Sequence, residues 1–273
     1  MSNYKIVASD LDGTLLNTKV QVSEENWEAV RQMTEAGVHF VPSSGRAFYE
    51  MPAFIRESPY VRYVIHSDGS AIYDKQTGES VRLSMSRERS HLLLDVLAEY
   101  ENDASIRHCG RVYTDAATNT EEFHRYNRMD DGWVWHTFAY YEPTENFDQF
   151  CRDLDGIDML CTFFHSADEQ EICRKRLEGL GYHVVSSHPC NLEVYAPTAG
   201  KGSALLALAK RLGIAPDATI AVGDSPNDSD MIRKAGLGLA MGNACEELKA
   251  IAREVICTND EHAMRYILNH YIR

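Results

Sequence analysis

The sequence predicts an α/β fold, a parallel-sheet domain interrupted by an inserted α+β domain. Two observations carry this. At both ends of the 273-residue chain, short apolar runs alternate with helical patterns, the grammar of strands joined by crossover helices. Between them, over roughly 84–190, that rhythm stops and aromatic and charged residues take over, among them Phe123, Tyr126, Trp133, Trp135, Phe138, Tyr140 and Tyr141. The expected division is one discontinuous domain, 1–83 with 191–273, split by an insertion at 84–190. Length agrees, since about 150 residues per domain leaves just under two domains.

The elements follow in order. Lys5-Ile6-Val7-Ala8-Ser9 is a compact apolar strand, stopped by Asp10-Leu11-Asp12-Gly13. Ser23 is placed to cap a helix, with Glu24 and Glu25 in a first turn where acidic groups suit the helix dipole. Trp27, Val30 and Met33 would share its buried face, and Gly37 ends it. Val38 to Val41 is a second strand, closing on Pro42-Ser43-Ser44-Gly45-Arg46; Pro42 offers no ladder donor, so pairing stops there. Val61 to His66 is a third strand, and the turn pair Asp68-Gly69 leads into Ala71-Ile72-Tyr73. After the insertion, Lys201 to Leu212 is helical with Ala204, Leu205, Leu208 and Leu212 on one face. Thr219 to Val222 is a strand running into Gly223-Asp224-Ser225-Pro226-Asn227-Asp228. Met231, Ile232 and Ala235 belong to a further helix, and Leu237 to Met241 to a further strand.

Composition sets limits. With 27 Lys+Arg against 41 Asp+Glu the formal charge is −14, which disfavours nucleic acids and anionic membranes as partners. A single phosphate group remains admissible where local positive charge reverses the field. No apolar run approaches the ~20 residues of a membrane span, and MSNYKIVASD lacks the basic start and long apolar stretch of a secretion signal. Seven cysteines at 109, 151, 161, 173, 190, 245 and 257 form no CxxC pair. An odd, scattered set is expected to be reduced thiols serving as packing residues in a cytoplasmic protein. The eleven histidines show no metal-ligand spacing, and His262 and His270, eight apart on a helix, read as surface or structural.

Ligands of open α/β sheets bind at the carboxyl ends of the strands. Three polar clusters fall at such ends: Asp10/Asp12, Ser44-Gly45-Arg46, and Asp224/Asn227/Asp228. One Asp-x-Asp could be a turn; three clusters at strand ends are not explained by turns. Their chemistry suits metal-assisted phosphoryl transfer. Asp10 and Asp224 supply hard oxygen ligands for Mg²⁺. One carboxylate can attack phosphorus while another, two residues on, protonates the leaving oxygen and later deprotonates water. A hydroxyl such as Ser44, backbone N–H groups and a Lys would stabilise the phosphoryl oxygens.

With these motifs in place, the chain resembles the haloacid dehalogenase-like superfamily, specifically its Cof-type phosphatases with a large inserted cap. The resemblance rests on Asp10-Leu11-Asp12-Gly13-Thr14-Leu15, Ser44-Gly45-Arg46, Lys201 in Gly200-Lys201-Gly202, and Gly223-Asp224-Ser225-Pro226-Asn227-Asp228. It implies a Rossmann-like core and an α+β cap of the class IIB kind. It implies Asp10 as nucleophile, Asp12 as general acid/base whose backbone carbonyl also serves Mg²⁺, and Asp224 as metal ligand. Ser44 stands where Thr is more usual and keeps the hydroxyl. Asn227, with Gly45 and Arg46, would contact phosphate, and Asp228 would support the site from behind. Asp68-Gly69-Ser70 departs from the Asn-Gly-Ala common in relatives, which touches substrate preference. The implied substrate is a small phosphorylated metabolite, a sugar phosphate or a phosphorylated cofactor, hydrolysed through an aspartyl-phosphate.

Blander readings stand beside these. Lys201 could be a solvated lysine at a helix start; a Walker A loop is excluded, because the glycine it needs five positions before Gly200 is Tyr195. Arg46 could pair with a nearby carboxylate instead of substrate, and Asp68 reads first as a turn former. The aromatics of 123–141 read as cap core, and Gly132 as a turn feeding a strand. Two other functions share the motifs: a phosphomutase or phosphotransferase, in which a sugar hydroxyl replaces water, and a noncatalytic Mg²⁺/phosphate-binding regulator. The set Asp10, Asp12, Ser44, Lys201 and Asp224 argues against the regulator, because binding alone needs no acid/base. Oligomeric state is not legible.

Overall fold

In the computed structural model, which describes residues 3–117, 140–186 and 190–273, the elements follow in chain order. They are β1 (Ile6–Ser9), α1 (Glu24–Glu35), β2 (His39–Pro42), α2 (Ala53–Arg56), β3 (Tyr63–His66), β4 (Ala71–Asp74) and β5 (Glu79–Arg82). Then come α3 (Arg87–Leu97), β6 (Asn102–His108), β7 (Arg111–Asp115), β8 (Tyr141–Thr144), α4 (Phe147–Asp153), β9 (Met159–Phe164) and α5 (Ala167–Gly179). The chain continues through β10 (His183–Val185), β11 (Asn191–Tyr195), α6 (Lys201–Arg211), β12 (Thr219–Gly223) and α7 (Ser229–Lys234). It closes with β13 (Leu237–Ala240), α8 (Glu246–Ile251), β14 (Glu254–Val255) and α9 (Ala263–Ile267). Two units result: 1–45, 52–81 and 200–273 form the first, 46–51 and 82–199 the second.

The first unit holds a five-stranded parallel sheet of order β14-β13-β12-β1-β2. Every residue of β1 is buried, as a strand covered on both faces requires. Ile6 lies opposite Thr219 and His39, and Ser9 opposite Val222 and Pro42. The ladder continues one step further, with Asp10 N–H donating to the Val222 carbonyl at 3.0 Å and Ser43 N–H to that of Ser9 at 2.8 Å. The residues following β1, β2 and β12 therefore emerge together at the carboxyl edge. Pairing does not stop at Pro42 as its missing donor suggests, because the next donor toward β1 is Ser43 N–H, which bonds the Ser9 carbonyl. Beyond it, bridges Phe40–Val61 and Ser43–Ile65 lead to a three-stranded sheet of β3, β4 and β5.

Helix α1 begins at Ser23, whose Oγ accepts from Asn26 N–H at 3.2 Å, and is followed by Gly37 at φ 80°. Its buried stripe differs from expectation. Asn26, Ala29, Val30 and Met33 face inward, whereas Trp27 stays half-buried and packs edge-on against Phe54 and Tyr60. A polar residue is tolerated inside because it is hydrogen-bonded: the Asn26 amide oxygen accepts from Met264 N–H at 2.9 Å.

The second unit is a six-stranded sheet of order β10-β11-β9-β6-β7-β8, antiparallel except where β7 and β8 run parallel. Leu93 and Leu97 of α3 and Cys173 and Leu177 of α5 share one core with Ile106, Leu160, Leu192 and Val194. This is the α+β insertion in kind. Its extent differs from 84–190, because β11 pairs β9 inside this sheet and the unit runs on to Ala199. Arg46–Met51 also belongs to it. Phe123, Tyr126, Gly132, Trp133, Trp135 and Phe138 lie outside the described residues; Tyr140 is exposed and Tyr141 opens β8.

All seven cysteines are free thiols. Cys151, Cys161 and Cys173 are buried, but Cys109 is exposed, a correction to its reading as a packing residue. It lies in the turn between β6 and β7, at φ 51°. His262 and His270 are both exposed, His262 meeting Ser23 Oγ at 3.0 Å and His270 stacking on Tyr266 at 4.0 Å. No helix among the described residues is long and apolar enough to cross a membrane.

Candidate active site

At the carboxyl edge of the parallel sheet, Asp10, Asp224 and Asp228 lie close to one another and to one buried ammonium. Lys201, the first residue of α6, is 1% exposed. Its Nζ lies 2.6 Å from Asp10 Oδ1 and 2.6 Å from Asp228 Oδ1. The other oxygen of Asp228 accepts the backbone N–H groups of Asp224 at 2.9 Å and Ser225 at 3.1 Å, which shapes the turn after β12. Asp224 Oδ1 accepts from Thr14 Oγ1 at 3.0 Å, tying that turn to the loop after β1. Gly13 makes this approach possible: at φ 78°, a β-carbon there would stand 2.4 Å from Asp224 Oδ2.

Asp10, Asp224 and Asp228 each present an oxygen within 4.8 Å of one another. Both Asp228 oxygens are already engaged, so Asp10 and Asp224 are the pair with coordination to offer a cation. Electrostatics agree. Burial, and then the like charges of Asp228, Asp224 and Asp12, hold the Asp10 carboxyl well above its ordinary range despite Lys201. Burial and Asp228 push Asp224 up to about 6 from an ordinary 3.8. Burial opposes the charge on Lys201, but Asp10, Asp228 and Asp68 more than offset it, so the ammonium persists. Asp10, Asp68, Asp224 and Asp228 around one ammonium leave a local surplus of acidic groups. Hard oxygen donors in that surplus fit a small divalent cation.

A pH effect follows for the metal-free protein. Because the folded form of Asp224 binds its proton more tightly than the unfolded form, its stabilising contribution is complete below about pH 4. It is lost as pH rises through about 6. With a chelator present, the thermal midpoint of wild type is expected to fall across that window more steeply than that of Asp224→Asn. Parallel calorimetric profiles would contradict this.

The remaining candidates are distributed as follows. Ser44 is buried, with its N–H donating to the Ile65 carbonyl at 3.1 Å and its own carbonyl accepting from Asp68 N–H at 3.1 Å. A β-carbon on Gly45 would sit 3.2 Å from Asp68 Oδ2. Asn227 Nδ2 donates to Asp68 Oδ1 at 3.0 Å. Asp12 is exposed, near enough to Asp10 and Asp224 to raise both. Arg46 falls in the second unit, where its Nη1 points at the Glu50 carbonyl at 3.5 Å. Two residues were underrated from sequence. Thr14 holds Asp224 in place. Asp68 is more than a turn former, being wholly buried in contact with Asn227. The available signal was positional: Asp68 follows the apolar strand β3 as Asp10 follows β1.

Comparison with known proteins agrees with this geometry. Residues 7–268 match the family of haloacid dehalogenase-like hydrolases. The chain is 33% identical to the phosphatase YwpJ of Bacillus subtilis (strain 168), over 98% of this chain and 100% of that protein. It is 26% identical to the 5-amino-6-(5-phospho-D-ribitylamino)uracil phosphatase YcsE of the same organism, over 99% and 96%. A solved haloacid dehalogenase-like hydrolase from B. subtilis superposes with a TM-score of 0.83 at 32% identity, covering 97% of this chain and 99% of that one. A buried Asp–Lys–Asp centre at the carboxyl edge of a parallel sheet, matched along nearly the whole chain by phosphatases, places the protein in the haloacid dehalogenase-like hydrolase family, as a phosphatase of the Cof type.

Proposed function

We propose that the protein hydrolyses small phosphorylated metabolites with Mg²⁺, through an aspartyl-phosphate on Asp10. The observation that carries this is the contact of Asp10 with buried Lys201, beside Asp224. Asp10 Oδ attacks phosphorus, and the bond to the leaving oxygen breaks as Asp12 gives that oxygen a proton. Asp12 then takes a proton from water, which hydrolyses the acyl phosphate and frees Asp10. The Lys201 ammonium, the Ser44 hydroxyl and the Asn227 amide hold the phosphoryl oxygens, with Gly45 and Arg46 as further contacts. Asp10, Asp224 and the backbone carbonyl of Asp12 would hold Mg²⁺. When bound, the ion supplies neutralisation of phosphoryl charge. Asp228 keeps Lys201 and the Asp224 turn in position. We read the second unit as the cap that selects the leaving group. The name of the YcsE relative supports a phosphorylated sugar or sugar-alcohol derivative as substrate.

The test is hydrolysis of an aryl phosphate by chelator-treated protein, with and without Mg²⁺, followed by a panel of sugar phosphates and phosphorylated cofactors. Release of inorganic phosphate only with Mg²⁺ is expected, together with an acid-stable phosphoenzyme in rapid quench. Absence of hydrolysis across the panel would sink the proposal. Transfer to an added sugar outrunning phosphate release would replace it with a phosphotransferase.

A further inference from the structure

We propose that Asp68 is a positioning residue for Asn227, setting which end of the Asn227 amide faces the phosphate. This rests on the reading of Asn227 as a phosphate contact. An asparagine side chain has a donor end and an acceptor end related by a simple flip, and a phosphoryl oxygen accepts only from the donor end. Asp68 Oδ1 lies 3.0 Å from Asn227 Nδ2. The carboxyl oxygen Oδ1 accepts at this contact, so it draws the amide nitrogen toward itself. At the other end, Ser225 Oγ donates to Asn227 Oδ1 at 2.7 Å, closer than its 3.4 Å approach to Asp228 Oδ2. A flip would break both bonds. Among the described residues only one of the two amide protons is used, leaving the second for an incoming oxygen.

The carboxylate is itself held in place by independent contacts. Asp68 is fully buried, with its N–H bonded to the Ser44 carbonyl at 3.1 Å. Ser67 and Asp68 are consecutive non-glycine residues in the left-handed region, at φ 51° and 49°. Such strain persists only where the surroundings over-determine it, and it concentrates at functional sites. Next to them, Gly69 abuts the residue before Lys201 so closely that a β-carbon would stand 2.2 Å from the Gly200 carbonyl carbon. The loop is thus wedged between the Ser44 strand end and the start of α6, with Asp68 directed at Asn227. Filling space or balancing Lys201 alone would require neither this partner nor this amide orientation.

The experiment is a double-mutant cycle read by calorimetric binding of inorganic phosphate with Mg²⁺ present, with thermal midpoints recorded in parallel. Asn227→Ala is expected to weaken phosphate binding about ten-fold or more, the weight of a hydrogen bond to a charged group. Asp68→Ala should cause a loss of similar size, and the double variant should bind no worse than Asn227→Ala. Asp68→Asn, whose amide oxygen accepts the same bond, should restore most of the affinity. Should Asp68→Ala fail to fold, Ser225→Ala removes the other jaw of the clamp, and its loss must likewise not add to that of Asn227→Ala. Multiplying losses, or Asp68→Asn binding as poorly as Asp68→Ala, would overturn the inference and leave the phosphatase reading intact. Unchanged binding in Asn227→Ala would remove the phosphate role of Asn227 and the inference with it.

Discussion

Replacing Asp10 by Asn is expected to lower kcat by about a thousand-fold or more and to abolish the phosphoenzyme, with the fold retained. The amide keeps the shape of the carboxylate and an oxygen for the Lys201 ammonium at 2.6 Å, but it has no nucleophilic oxygen. Effects of this size are usual when a covalent nucleophile is removed. Stability should move little or upward, since the carboxylate being lost is one that burial and three like-charged neighbours disfavour. Rapid-quench mass spectrometry and a thermal scan check both halves. A variant that keeps full turnover would exclude Asp10 as the attacking group.

Replacing Lys201 by Met is expected to damage stability and activity together. The ammonium is the shared partner of two buried carboxylates, each at 2.6 Å. Without it Asp10 and Asp228 face each other uncompensated, and breaking a buried pair from one side costs about 3–5 kcal/mol. The pH response separates this from a simple packing loss. In wild type Lys201 is held charged above its ordinary range, so its contribution persists until strongly alkaline pH. In the variant, Asp10 should take up a proton as pH falls, and part of the lost stability should return on acidification. Turnover should drop about a hundred-fold or more through loss of charge stabilisation at the phosphoryl oxygens. Denaturant unfolding at two pH values, with kcat measured on the folded fraction, is the check.

Much of the centre was legible because apolar strands ending in acidic residues announce themselves. β1 ending at Asp10 and β12 ending at Gly223-Asp224 are such cases. Lys201 was legible only in company, since a lysine at a helix start is ordinary until its burial between Asp10 and Asp228 is seen. Asp68 was underrated because Asp-Gly is a turn signal in its own right, and the turn it makes is real. Asn26 was missed on α1 because polarity concealed a residue whose side chain caps the backbone of Met264. The extent of the insertion escaped composition altogether. β11 is nearly as buried as a strand of the parallel sheet, and its antiparallel pairing with β9 assigns it to the second unit.

The place of β1 has a consequence for how the chain is made. This interior strand is made before the second unit, yet its partner on one side, β12, comes after the whole of that unit, with Ile6 waiting for Thr219. At roughly 5–20 residues per second on the ribosome, that wait is on the order of ten to forty seconds. During it an apolar strand has an open edge, and Asp10 has neither its lysine nor a reason to leave water. The second unit, whose sheet needs nothing made after Tyr195, can close in the interval. Nascent chains should therefore shelter β1 until α6 and β12 emerge, and catalytic competence should arrive late and all at once.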